Sequence, residues 1–261
     1  MATFAPLNRR PSNARRSRPC IAAVALVWLA GSSAATAKQP AARQPDLAQA
    51  EQALVERSNV FRQSQGLLPT RPDARLSAAA AEFAAYMART DRYGHDADGR
   101  QPQQRAQAHA YAHCMVAENI AYRFNSAGFD TAELAQGFVQ GWIDSPGHRR
   151  NLLAAEATHI GAAIARSPRT DRYYAVQMFG RPAALRLRFE ISNRSSQALH
   201  YQLGDTAYSL GRGATRWHEH CSAPTLSLAL PGQDRPTTLQ PADGARYRIE
   251  AVGQSLRVVA D

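Results

Sequence analysis

Four side chains near the middle of the chain are of the types that build a cation or ligand cleft. His95 lies in Tyr93-Gly94-His95-Asp96 and Glu118 in Ala117-Glu118-Asn119-Ile120, while Asp144 and His148 share Trp142-Ile143-Asp144-Ser145-Pro146-Gly147-His148-Arg149-Arg150-Asn151. Imidazole nitrogens and carboxylate oxygens are the donors that zinc and other divalent cations accept, which makes His95 and His148 the candidate ligands. Glu118 interrupts an apolar stretch, and a carboxylate placed there needs a cation or hydrogen bonds. Three roles stay open for it: orienting an imidazole from behind, acting as base on a metal-bound water, or pairing architecturally with an arginine or backbone amides. Pro146 at the first position of a helix would put His148 near the positive helix end, disfavouring protonation and leaving a ring able to bind metal. The alternative for His148 is a bond to a nearby carbonyl that closes the turn.

Other histidines and the cysteines give weaker patterns. His218-Glu219-His220-Cys221 would offer two same-face imidazoles from a strand plus a sulfur, although alternation on an exposed strand gives the same pattern. His109 and His113 either share a helix face or straddle a loop boundary, and His159 and His200 have no ligand pattern beside them. No His-Glu-x-x-His helix, phosphate-binding glycine loop or nucleophile signature is present.

The first 37 residues read as an export leader. Arg9, Arg10, Arg15, Arg16 and Arg18 precede an apolar run of 11 residues, Cys20 to Ala30, and small residues ending Ala35-Thr36-Ala37. That run is shorter than the roughly 20 residues a membrane-spanning helix needs. Removing five arginines and no acid lowers the formal charge from +10 to +5. The remaining arginines are scattered among acids without a basic block, which argues against nucleic acid as a partner. Cys114 and Cys221 remain in the mature chain; an oxidising compartment would let them bridge, and two separate buried thiols are the alternative.

The elements that must position these groups follow from periodicity. Residues 38–45 have the composition of a flexible linker. Leu47, Ala50, Leu54, Val60 and Phe61 recur at helical spacing from Asp46 until Gly66 and Pro69 stop them. A second helix is predicted over 77–90 with Ala80, Phe83, Ala84 and Met87 as its apolar stripe, a short one within 96–110, and another over 130–144. Ser145 is the expected N-cap of a helix from Pro146 to Leu153. Residues 158–165 and 172–180 read as a strand pair about Ser167-Pro168-Arg169-Thr170. Beyond Pro182, alternation in 185–191 and strand-like runs at 198–203, 226–230 and 245–252 predict a small all-β domain over 183–261.

Together these fragments resemble the CAP superfamily of cysteine-rich secretory, antigen 5 and pathogenesis-related proteins. The resemblance covers residues 46–182. Asn59 and Arg62 before Gly66-Leu67-Leu68-Pro69, then Tyr93-Gly94-His95, Glu118-Asn119-Ile120, Ser145-Pro146-Gly147-His148-Arg149-Arg150-Asn151 and Tyr174-Ala175-Val176-Gln177-Met178-Phe179-Gly180 occur in the family's order, the Ser-Pro-Gly-His form being similar to bacterial members. The resemblance implies an α+β fold, an α-β-α sandwich around a mostly antiparallel sheet, with a cleft beside His95, Glu118 and His148. Family members carry a second glutamate three residues after the tryptophan; here Ser145 holds that position and Asp144 lies one residue earlier.

The resemblance further implies an exported bacterial protein, periplasmic or extracellular. Its cleft would bind a lipid-like ligand, a divalent cation such as zinc, or a cell-envelope component. Two alternatives stand beside this binding module: a metal-dependent hydrolase with His95 and His148 as ligands and Glu118 as base, and a structural adhesion protein.

Overall fold

The computed structural model describes residues 42–230, 235–252 and 255–260. The predicted leader, residues 1–37, lies outside the described residues. So do residues 38–41 of the predicted linker.

Residues 42–45 are docked onto the fold and do not behave as a linker. Arg43 forms a parallel bridge to Gly128, donates its backbone N–H to Ala127 O at 3.0 Å, and pairs with Asp130 at 2.6 Å. Its partners lie more than eighty residues away in sequence, so local composition could not announce the contact.

Helix α1 (Leu47–Ser64) starts at Asp46, whose carboxylate caps the Gln49 amide, and buries Ala50, Leu54, Ser58 and Arg62 at four-residue spacing. A two-residue strand β1 (Arg71–Pro72) leads to α2 (Ala74–Thr90). Asp73 accepts from the Arg75 and Leu76 amides, so α2 begins three residues before the predicted Ser77. The predicted stripe of Ala80, Phe83, Ala84 and Met87 is fully buried. Helices α3 (Pro102–Ala108), α4 (Thr131–Asp144) and α5 (Pro146–Leu152) follow, separated after α3 by the long strand β2 (His113–Arg123).

Strands β3 (His159–Arg166) and β4 (Tyr173–Pro182) form the predicted pair. The sheet order is β1-β3-β4-β2, antiparallel except for β1 beside β3, and it leaves β2 at an edge. Alternation along β3 sends Ile160, Ala162 and Ile164 to a core shared with α1 and α4, and Ala163 to a core shared with α2. Gly161 lies against α2 so closely that a Cβ would fall 2.3 Å from the Leu76 carbonyl carbon. The result is a three-layer α-β-α arrangement.

After a short 3-10 turn, Ala183–Leu185, the described residues form only strands and their connections. One sheet orders β12 (Ser255–Ala260), β11 (Arg246–Val252), β5 (Leu187–Asn193) and β8 (Thr215–His220). The other orders β10 (Thr237–Leu239), β9 (Leu226–Leu228), β6 (Leu199–Leu203) and β7 (Thr206–Leu210). Phe189, Ile191, Tyr247 and Ile249 of the first sheet share a core with Leu199, Tyr201, Leu203, Leu226 and Leu228 of the second. This sandwich core is separate from the two cores of the α-β-α part. A disulfide between Cys114 and Cys221, Cα atoms 5.5 Å apart, joins β2 to the residue after β8. Among the described residues, no helix is long and apolar enough to cross a membrane.

Candidate functional site

Side-chain alternation on β2 divides the site between two layers. Val116 and Ile120 pack toward α2, whereas Met115, Ala117 and Ala121 pack toward α1 and α4. Glu118 therefore faces the α2–α3 side and Asn119 the α4–α5 side. Because β2 is an edge strand, groups from both layers can meet along its outer margin.

On the first side, Glu118 is buried and fully engaged. Arg105 of α3, itself buried, donates Nη2 to both Glu118 oxygens at 2.9 and 2.8 Å, and His95 from the loop after α2 donates Nδ1 to Oε1 at 2.8 Å. Two of the three roles open to Glu118 are thus present together, the arginine pair and the orienting of an imidazole. The third is not supported by this geometry: a general base must reach the proton it takes, and this carboxylate has only 1% of its side-chain surface exposed.

On the second side, Asn119 donates to the Gln177 side chain at 3.0 Å and to the His148 carbonyl at 3.3 Å. Gln177, its cross-strand partner on β4, donates to Ser58 at 2.7 Å. Asn151 of α5 closes the set by donating to Asn119 Oδ1 at 2.9 Å and to the Glu118 carbonyl at 3.0 Å. These bonds fasten α5, and with it His148, to the strand that holds Glu118.

The two imidazoles meet across that strand, their ring centres 6.4 Å apart. His148 is half-buried, and among the described residues its ring makes no hydrogen bond. The turn-closing carbonyl bond is therefore absent. Burial, and then the His95 charge, lowers the His148 pKa below the ordinary imidazole value. A neutral ring was expected, but from the helix end; desolvation is the principal cause.

Beside His148 an open hollow of about 260 Å³ runs along the outer edge of β2, lined by Tyr93, Ile120, Tyr122, Gly141, Ser145 and His148 among others. Its wall is fixed at one carbonyl: Tyr93 OH and Trp142 Nε1 both donate to Ile120 O, at 3.1 and 3.2 Å. Ser145 is the N-cap residue of α5, as expected, but its side chain makes no cap bond and it lines this hollow. Asp144 is elsewhere. It is exposed, accepts from Gln140 at 2.8 Å, and lines a hollow on the solvent side of α4 that contains neither histidine. Four helical positions separate it from His148 across the α4–α5 junction, and the chain turns between them.

The remaining histidine patterns separate as well. His109 bonds Glu82 beyond the end of α3, and His113 opens β2 with Nδ1 bonded to Tyr111 O, so the two share no helix. Cys221 is consumed by the disulfide, and His218 is bonded to Tyr201 OH at 2.7 Å inside the sandwich. The His218-Glu219-His220-Cys221 pattern therefore assembles no ligand set.

The donor chemistry at His95 and His148 fits a divalent cation at two positions. Among the described residues, no three His, Cys, Asp or Glu side chains converge as a metal-holding group. Sequence reasoning missed Arg105, and the only available signal was its place beside Ala106 on the inner face of a short polar helix.

Comparison with known proteins locates the same region. Residues 55–179 match the model of the cysteine-rich secretory protein family, CAP. An uncharacterized protein of Bacillus subtilis strain 168, YkwD, is 31% identical over 118 residues, which cover 45% of this chain and 43% of the relative. The match thus spans less than half the length of that curated relative. An outer surface protein from Borrelia burgdorferi superposes with a TM-score of 0.45 at 20% identity over 51% of this chain and 92% of that one. An extracellular protein containing a SCP domain from Bacillus anthracis str. Ames does so at 0.44 and 23% identity, over 51% and 41%.

Proposed function

Residues 55–179 form a domain of the CAP family, and from that premise we propose that the protein is an exported binding module whose cleft gathers a divalent cation and a small ligand between His95 and His148. The observation that carries this reading is the His148 ring: half-buried, without a hydrogen bond to protein among the described residues, and 6.4 Å from a second imidazole, centre to centre. A half-buried imidazole with no protein partner is free to bind one from outside. His95 supplies the second nitrogen, oriented from behind by Glu118.

A bound cation supplies positive charge and open coordination positions for an oxygen or nitrogen of the ligand. The protein's own contribution is orientation: Glu118 aims His95, Asn119 and Asn151 hold α5 in place, and Tyr93 and Trp142 shape the wall. The hollow beside His148 is open and about 260 Å³ in volume, room for a compact ligand. The β sandwich, tied to β2 through Cys114 and Cys221, is the part we assign to a cell-envelope component.

Isothermal titration of Zn²⁺ into the full chain tests the cleft. Binding is expected in the wild type and absent in His95→Ala and in His148→Ala. Undiminished binding in the double variant sinks the reading. N-terminal sequencing of the protein recovered outside the cytoplasm tests export, with Lys38 expected as the first residue.

A further inference from the structure

One side chain holds both ends of His95. Arg105 Nη2 donates to the His95 main-chain carbonyl at 2.8 Å and to both oxygens of Glu118, whose Oε1 in turn accepts from His95 Nδ1. Its Nη1 is anchored on Asp98 at 2.8 Å and on the Arg100 carbonyl at 2.7 Å, and its guanidinium carbon lies 3.6 Å from the Phe83 ring centre. The Arg105 and Asp98 side chains are nearly covered, and Arg100, which also pairs with Glu82, pairs with Asp98 at 2.9 Å. Fixed on five acceptors and one aromatic face, the guanidinium has no freedom left to follow His95. His95 must instead follow it.

We infer that Arg105 is the positioning residue of the cleft, acting through Glu118 and the His95 carbonyl to hold the imidazole with its proton on Nδ1 and its Nε2 lone pair directed away from Glu118, available to a ligand. The hydrogen bond made by one ring nitrogen decides what the other presents. A carboxylate paired with a guanidinium accepts from Nδ1, so that nitrogen carries the proton and Nε2 is left to bind. Lysine does not reproduce the arrangement, because one ammonium lacks the planar fork whose two Nη groups reach these acceptors together. The inference rests on the cleft proposed above, yet it concerns an arginine that touches no ligand.

The test is long-range ¹H–¹⁵N NMR of histidine side chains in the full chain without added metal, alongside Zn²⁺ titration. In the wild type, His95 is expected as the Nδ1–H tautomer. In Arg105→Gln, checked for folding by near-ultraviolet circular dichroism, the Nε2–H form should appear and Zn²⁺ affinity should fall by about 10- to 100-fold. Arg105→Lys should fall between the two. A merely structural arginine would change stability and leave the tautomer alone, so a folded Arg105→Gln protein that retains Nδ1–H overturns the inference. If Arg105→Gln does not fold, the wild-type tautomer still decides: Nε2–H at His95 refutes the arrangement. Absence of Zn²⁺ binding in the wild type would defeat the cation reading, and the tautomer shift would then test Arg105 independently.

Discussion

Two pairs of imidazoles, one in each half of the molecule, have nearly the same separation and opposite fates. His95 and His148 have ring centres 6.4 Å apart; those of His218 and His220 are 6.0 Å apart. In the cleft, the rings come from a loop and a helix on either side of an edge strand, and His148 bonds nothing among the described residues. In the sandwich, the rings come from alternate positions of β8. His218 is buried with Nε2 bonded to Tyr201 OH, its ring stacked on Phe189 at 5.3 Å and set edge-on to Tyr208 at 4.9 Å. Spacing alone therefore does not define a site. What differs is the commitment of one ring in each pair: His218 Nε2 is already held by Tyr201 inside the sandwich core, whereas the His148 ring bonds nothing among the described residues.

The largest expected effect tests whether the two regions are energetically separate. Cys114 and Cys221 close a separation of 107 residues, for which the loss of a disulfide costs about 2–5 kcal/mol. The double Cys114→Ser, Cys221→Ser variant should lose about that much in denaturant unfolding while Zn²⁺ binding at the cleft is unchanged. A fall in Zn²⁺ affinity would show that the sandwich helps to shape the cleft, which breaks the comparison.

The next effect belongs to His218. Burial first, then the charges of His220 and Arg216, lower its pKa from 6.5 to about 4. The unfolded chain takes up the proton first, so the stabilising contribution is present above pH 6.5 and is lost as pH falls toward 4. For a shift of that size the loss is about 3 kcal/mol. Chemical unfolding between pH 7 and pH 4 should show that slope, and His218→Phe should flatten it. An equal slope in the variant would mean that the buried ring is not what makes the sandwich acid-sensitive.

A smaller effect sharpens the cleft side. Asn151→Ala would leave the Glu118 carbonyl and Asn119 Oδ1 without their donor, at about 1–3 kcal/mol for buried unsatisfied groups. Because the same bond holds α5 to β2, Zn²⁺ affinity should fall with stability. In the sandwich, no comparable substitution is expected to touch Zn²⁺ binding. Loss of stability with full affinity would show that His148 is held by other means.

How much of this was legible in the sequence depended on distance along the chain. Helices α1, α2 and α4 were readable because their buried faces repeat within one element, and the β3–β4 pair because its turn residues are local. His95, Glu118 and His148 stood out inside compact fragments. Arg105 did not, since its partners are the distant Glu118 and Asp98 and its own helix has only seven residues. Strand β8 was legible only at its end, His218 to His220, because Thr215 to Trp217 are all exposed and show no alternation. The docking of Arg43 and the choice of disulfide over free thiols required knowledge of which segments become neighbours.

Asp144 marks the limit of spacing arguments most clearly. It lies close in sequence to His148, carries the right functional group, and sits one residue from the position where the family pattern has an acid. Yet α4 ends at Asp144 and α5 starts at Pro146, and the turn at Ser145 sends the carboxylate to solvent beside Gln140. An exposed acid bonded to one glutamine contributes little, so Asp144→Asn should change stability by less than about 0.5 kcal/mol and leave Zn²⁺ affinity as it is. Ser145, whose side of the turn faces the hollow, is the position where an acid could reach the cleft. Ser145→Glu should therefore strengthen Zn²⁺ binding where Asp144→Asn leaves it unaltered. The reverse pattern, with affinity lost at Asp144 and unmoved at Ser145, would show that the carboxylate swings into the cleft when a cation arrives.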